Sequence, residues 1–214
     1  MMAFVVGGAA SGKSAYAEQL ACQLGEQRVY LAAMRPFGEE GAARVRRHRA
    51  LRAGKGFTTV ECYDDFCAAL ADERLDGATV LLECLGNVVA NELFRADDAE
   101  GDATFLHGAS QVISQVGAHS VRPPVMSQAC AHMVDALEAL SLRCEHLVVV
   151  GNEVAADGVL YPLETRAYQQ LLGDVSRAVA ERSDLVVEVV AGMPFVVRRS
   201  DACPPLPAGM LGVH

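Results

Sequence analysis

The chain has 214 residues, 51% of them apolar, enough to bury one substantial core in a single domain. Its formal net charge of −9 argues against nucleic acid as a bulk partner, and no apolar run approaches membrane-spanning length. Cys22, Cys62, Cys67, Cys84, Cys130, Cys144 and Cys203 include no C-x-x-C pair and share no zinc spacing with the six histidines, so they read as reduced thiols of a cytoplasmic protein without a signal-peptide pattern. The first strand, Ala3–Val6, leads into Gly7-Gly8-Ala9-Ala10-Ser11-Gly12-Lys13-Ser14, and a helical pattern over Lys13–Leu24 follows. The octet fits G-x-x-x-x-G-K-[ST], the phosphate-binding loop, in the strand–loop–helix setting that its mechanism needs. Glycines let the main chain curl until several N–H groups converge on phosphate oxygens, and the helix N-terminus adds to that anion site. Lys13 would reach the β/γ-phosphates of a nucleoside triphosphate and the Ser14 hydroxyl would ligate Mg²⁺.

Further along, strands are expected at Arg28–Ala33, Thr58–Glu61, Thr79–Cys84, His146–Val150, Leu185–Val190 and Phe195–Arg198. Helical patterns separate them at Glu39–Ala53, Asp64–Ala71, Val88–Phe94, Met126–Leu142 and Thr165–Arg182. Continuous apolar strands alternating with helices predict an α/β fold, a mainly parallel sheet flanked by helices. Ala191-Gly192-Met193-Pro194 joins the last two strands as an antiparallel edge hairpin. Residues 95–125 read as an excursion with a short helix at Ser110–Gln115. The domain is expected to span 1–199; the tail 200–214, with Pro204, Pro205 and Pro207, is expected to add nothing to the core.

In the second helix Arg44, His48 and Arg52 recur at i, i+4 and i+8, so they share one stripe. A neutral imidazole keeps a lone pair and can act as a nucleophile, while guanidiniums can hold phosphates. The competing interpretation is a solvated basic helix face with an idle histidine. Glu61, Glu83 and Glu153 each close or follow a strand, where an open parallel sheet has its ligand crevice. Glu83 ends an apolar strand where P-loop proteins place a carboxylate near magnesium. Three acids beside a phosphate site call for a cation or a basic substrate to balance them.

These pieces together resemble the bifunctional adenosylcobinamide kinase/adenosylcobinamide-phosphate guanylyltransferase family. The resemblance rests on the loop Gly7–Ser14, Tyr30-Leu31-Ala32, Arg44-Val45-x-x-His48-x-x-x-Arg52, Phe57-x-Thr59-x-Glu61, Leu81-Leu82-Glu83-Cys84-Leu85 with Asn91, and Asn152-Glu153-Val154. It implies a RecA-like P-loop fold, a homotrimer, and two reactions. In the first, ATP or GTP phosphorylates adenosylcobinamide. In the second, GTP guanylylates a histidine, here His48, and the GMP passes to adenosylcobinamide phosphate. It also implies nucleotide contacts from Gly7, Gly8, Ala9, Ala10, Ser11, Gly12, Lys13 and Ser14, from Ala32, Ala33 and Met34, from Arg49, Ala50, Leu51 and Arg52, and from Glu61 and Glu83. Magnesium is expected at Ser14 and Glu83. The chain departs from the family pattern at Ala33 (usually Thr), Phe57 (usually Trp), Ala155–Val159 (usually glycine-rich) and Gln170 (usually acidic), which bears on substrate range more than on nucleotide binding. Two other readings stay open: a single-activity kinase for a cobinamide or small alcohol, with His48 only contacting phosphate, and a GTP-binding sensor without turnover.

Overall fold

Apolar runs too continuous to leave a wet face make the centre of the sheet. The computed structural model describes residues 1–35, 38–63, 66–94, 124–154, 159 and 161–210. Within them lie strands β1 (Met2–Val6), β2 (Arg28–Ala32), β3 (Phe57–Glu61), β4 (Thr79–Glu83), β5 (His146–Val150), β6 (Leu185–Val190) and β7 (Met193–Arg199). The helices are α1 (Lys13–Leu24), α2 (Gly38–Arg52), α3 (Phe66–Ala69), α4 (Leu85–Leu93), α5 (Pro124–Arg143) and α6 (Leu163–Arg182). Every residue of β4 is buried, as is β5 after His146, because helices cover both faces. The expected helix at 110–115 lies outside the described residues.

The sheet order is β3-β2-β4-β5-β1-β6-β7. All neighbours are parallel except β6 and β7, the expected edge hairpin, whose turn holds Ala191 at φ 48° and Gly192 at φ 82°. The strand preceding the phosphate-binding loop, β1, is separated from the acid-ended β4 by β5. This is the RecA-like P-loop architecture.

Register then sets the site. Ala32 lies opposite both Glu61 and Glu83, Glu83 opposite Val150, and Val150 opposite Val5, so the carboxyl ends of five strands line one crevice. Alternation along the strands sorts side chains between two cores. Val29, Leu31, Val80 and Leu82 pack with residues of α4, α5 and α6. Tyr30 and Leu81 pack with Tyr16, Ala17 and Leu20 of α1 on the other face, with Ala32 beside them.

Two expectations are corrected. The helix expected from Val88 starts at Leu85: Gly86 and Asn87 look like loop residues, yet the Asn87 and Val88 N–H groups both donate to the Cys84 carbonyl and close a first turn. The described part of the tail, 200–210, packs against the core. Cys203 and Met210 are buried on the α1 face, with Leu206 packed beside them. The Tyr16 hydroxyl donates to the Met210 carbonyl at 2.5 Å, and burial pushes its pKa up to about 12. The prolines route the chain along α1 instead of releasing it. Deleting residues 201–214 is therefore expected to cost about 2–5 kcal/mol, the transfer free energy of one or two buried apolar side chains. Urea unfolding checks this, and an unchanged midpoint would contradict the packing.

Candidate active site

The phosphate-binding loop is built by backbone that side chains would obstruct. A Cβ on Gly7 would sit 2.5 Å from the Val189 carbonyl oxygen. Ala10 (φ 56°) and Gly12 (φ 94°) take left-handed conformations that turn the chain back on itself. Gly12 is the N-cap of α1 and no side chain caps that helix, which leaves its first N–H groups for an anion. The Ser11 carbonyl accepts from the Gly192 N–H at 2.8 Å, so the β6–β7 turn braces the loop. Lys13 is buried, and its Nζ donates to the Gly8 carbonyl at 3.0 Å. One expected outcome follows for Gly12→Ala, whose new Cβ would lie 3.2 Å from the Gly192 Cα at an unfavourable φ. Nucleotide affinity is expected to fall roughly tenfold or more, the effect of 1–3 kcal/mol of backbone strain. Calorimetric titration checks it, with circular dichroism confirming the fold.

A cavity of about 640 Å³ opens over this loop, a size that suits a nucleotide. It is lined by Ala9 through Ala15 and, from other elements, by Tyr30, Met34, Arg47, His48, Glu83, Cys84, Asn87, Asn152, Glu153 and Val154. A second cleft on the far side of His48 is lined by Tyr30, Ala32, Met34, Val45, His48, Arg49, Arg52, Thr59, Glu61 and Tyr63. The imidazole thus stands between the phosphate loop and a cleft with aromatic and charged walls.

Helix α2, which carries that imidazole, has almost no apolar stripe, so polar contacts hold it against the sheet. The Arg52 guanidinium, buried, lies 3.2 Å from the Tyr30 ring centroid. Arg49 meets Glu61 at 3.0 Å. Just past the helix, Lys55 pairs with the buried Glu18 of α1 at 2.5 Å. His48 Nδ1 lies 3.7 Å from Glu83 Oε1, and the Tyr30 hydroxyl donates to Glu83 Oε2 at 3.1 Å. Burial, then the Glu83 carboxylate, hold the Tyr30 phenol strongly toward its protonated form.

Most of the expected residues come together. Ala9, Ala10, Ser11, Gly12, Lys13, Ser14, Met34, His48 and Glu83 line the phosphate cavity, while Ala32, Arg49, Arg52 and Glu61 line the adjoining cleft. Gly7 and Gly8 contribute backbone. Ala33 is buried outside both cavities; its N–H donates to the Glu83 carbonyl at 3.2 Å and its carbonyl accepts from Asn91 at 2.8 Å. Ala50 is exposed and lines neither cavity. The side chains of Arg44 and Leu51 lie outside the described set.

The three acids do not crowd one phosphate. Glu61 faces Arg49 in the neighbouring cleft and accepts from the Tyr63 hydroxyl at 2.6 Å. Glu83 is engaged by Tyr30, and Glu153 remains on the phosphate cavity. Sequence reasoning missed Tyr30, Arg47, Asn87 and Asn152 as site residues. Tyr30 and Asn152 stood inside quoted motifs, and Arg47 stood beside His48. Ser14 and Glu83 line one cavity and offer hard oxygen donors, a set that fits Mg²⁺.

Comparison with known proteins identifies the family. The family model for cobinamide kinase / cobinamide phosphate guanyltransferase matches residues 3–197. The chain is 29% identical over 201 residues to the bifunctional adenosylcobalamin biosynthesis protein CobU of Salmonella typhimurium, covering 92% of this chain and 100% of that protein. It is 31% identical over 201 residues to the CobU protein of Escherichia coli, with the same coverage. Among solved structures, the flagellar accessory protein FlaH from Methanocaldococcus jannaschii aligns with a TM-score of 0.43 at 10% identity over 93% of this chain and 78% of that one, too loosely to argue from.

Proposed function

The chain belongs to the cobinamide kinase / cobinamide phosphate guanyltransferase family, and on that premise we propose that it carries out both transfers of the bifunctional enzymes. In the first, the hydroxyl of adenosylcobinamide attacks the γ-phosphorus of a nucleoside triphosphate held by Gly7–Ser14, and the nucleoside diphosphate leaves. In the second, an imidazole nitrogen of His48 attacks the α-phosphorus of GTP, the α–β phosphoanhydride bond breaks and pyrophosphate leaves. A phosphate oxygen of adenosylcobinamide phosphate then attacks the phosphoramidate. The P–N bond breaks, the imidazole is restored and adenosylcobinamide-GDP forms.

The observation that carries this reading is the position of His48, on the wall of the cavity that the phosphate-binding loop floors. A positioned nucleophile divides one difficult transfer into two easier ones. Lys13 and the open N–H groups of α1 hold the phosphates, while Arg47 and His48 line the same cavity from α2. Magnesium, held by the Ser14 hydroxyl on the cavity that Glu83 also lines, would neutralise phosphate charge.

Incubation with GTP labelled at the α-phosphorus tests the reading. Label bound to protein, labile to acid and stable to base, that is discharged by adenosylcobinamide phosphate supports it. Phosphorylation of cobinamide without protein label would leave only a kinase, and tight GTP binding without either transfer would leave a sensor.

A further inference from the structure

Tyr30 stood in a quoted strand motif with no role of its own, yet it touches the histidine-bearing helix through Arg52 and reaches toward His48 through Glu83 of β4. Its ring lies under the Arg52 guanidinium, 3.2 Å from the nitrogen-bearing carbon to the ring centroid. Its hydroxyl donates to Glu83 Oε2 at 3.1 Å. Register explains the reach: Tyr30 pairs with Leu81, Ala32 pairs with Glu83, and alternation puts Tyr30 and Glu83 diagonally on the same sheet face. Arg52 and His48 stand one turn apart on α2, so Tyr30 holds one end of that turn through Arg52 and faces the other through Glu83.

The ring nitrogens of His48 are not equivalent. Nδ1 is buried and has no hydrogen-bond partner among the described residues, and Glu83 Oε1 is the carboxylate oxygen beside it at 3.7 Å. That gap is longer than a hydrogen bond, but contacts in ligand-free active sites commonly tighten when substrate closes the site. With Oε2 anchored by the tyrosine, the carboxyl plane is fixed and Oε1 is held toward the imidazole.

We propose that Tyr30 is a positioning residue for the guanylyl transfer: through Glu83 it holds His48 as the Nδ1–H tautomer, so that Nε2 carries the lone pair aimed at the α-phosphorus. Glu83 Oε1 accepts the Nδ1 hydrogen and stabilises the charge that the ring acquires as the P–N bond forms. When GMP departs, the ring returns to the same tautomer, ready for the next GTP. The idea rests on His48 being the residue that carries GMP.

Tyr30→Phe keeps the ring beneath Arg52 and removes only the hydroxyl. The rate of histidine–GMP formation is expected to fall about 10–100-fold, the usual effect of losing a carboxylate–histidine support, with the KM for GTP changed by less than about threefold. The ratio of guanylylation to cobinamide phosphorylation should fall by at least about tenfold. Unchanged adduct formation, or a loss equal in both reactions, would overturn the assignment. A second readout needs no turnover. Nitrogen-15 spectra of the full chain carrying labelled histidine should show His48 protonated at Nδ1 in the wild type, and a mixture of tautomers in Tyr30→Phe and in Glu83→Gln. A wild-type ring protonated at Nε2, or variants with the wild-type tautomer, would refute the positioning. If histidine–GMP never forms while the tautomer behaves as described, the guanylyl-transfer reading fails and the tyrosine's hold on the ring stands.

Discussion

Lys13→Ala is expected to lower cobinamide phosphorylation and GTP-dependent guanylylation together, each by about a hundred- to a thousandfold, the effect of removing one preorganised donor from a transferring phosphoryl group. The lysine is buried at the first position of α1, with its amine on the Gly8 carbonyl at 3.0 Å, so a charged group is already desolvated and aimed across the loop. A buried ammonium with a single neutral acceptor among the described residues is under-solvated, and a polyphosphate supplies what it lacks. On the proposed reading both transfers begin from a triphosphate on the same loop, which is why the losses should run in parallel. Steady-state rates with cobinamide and with cobinamide phosphate measure them. Loss of one reaction alone would mean that the two triphosphates bind at different places.

His48→Ala should separate what Lys13→Ala joins. Protein-bound GMP should vanish, and transfer to cobinamide phosphate should drop roughly a thousandfold or more, as when a covalent nucleophile is deleted. Phosphorylation should fall far less, because in the proposed scheme that transfer goes directly from the γ-phosphorus to the corrinoid hydroxyl. The ring is only partly covered, with 21% of its side chain exposed, and it packs against Glu83 without filling the hydrophobic core, so truncation leaves no large cavity. Comparing both rates with the urea midpoint of the variant separates chemistry from folding. Equal loss of the two transfers at unchanged stability would demote His48 to a phosphate contact.

Much of this could be read along the chain. The G-x-x-x-x-G-K-[ST] octet carries its own mechanism, and β1, β4 and β5 announce themselves as unbroken apolar runs between helical stretches. Elements held by unpatterned contacts were less legible. Cys203, Leu206 and Met210 fall at i, i+3 and i+7, but Pro204, Pro205 and Pro207 argue against a helix there, so their return to the α1 face could be seen only in three dimensions. Helix α2 has no apolar stripe that would fix which face meets the sheet. Its docking depends on partners distant in sequence: Tyr30 for Arg52, Glu61 for Arg49 and Glu83 for His48. For the same reason Tyr30 read as one more strand residue. Its part in the site exists only because β2 and β4 pair in the register that sets Tyr30 diagonal to Glu83.

Locating the bound guanylate tests the central claim most directly. Protein mixed with GTP and magnesium, quenched in base and digested, should yield by mass spectrometry a single GMP-bearing peptide whose modified residue is His48. A GMP adduct on any other side chain, or no adduct under conditions where adenosylcobinamide-GDP accumulates, would contradict the claim that the imidazole over the phosphate-binding loop carries the nucleotide.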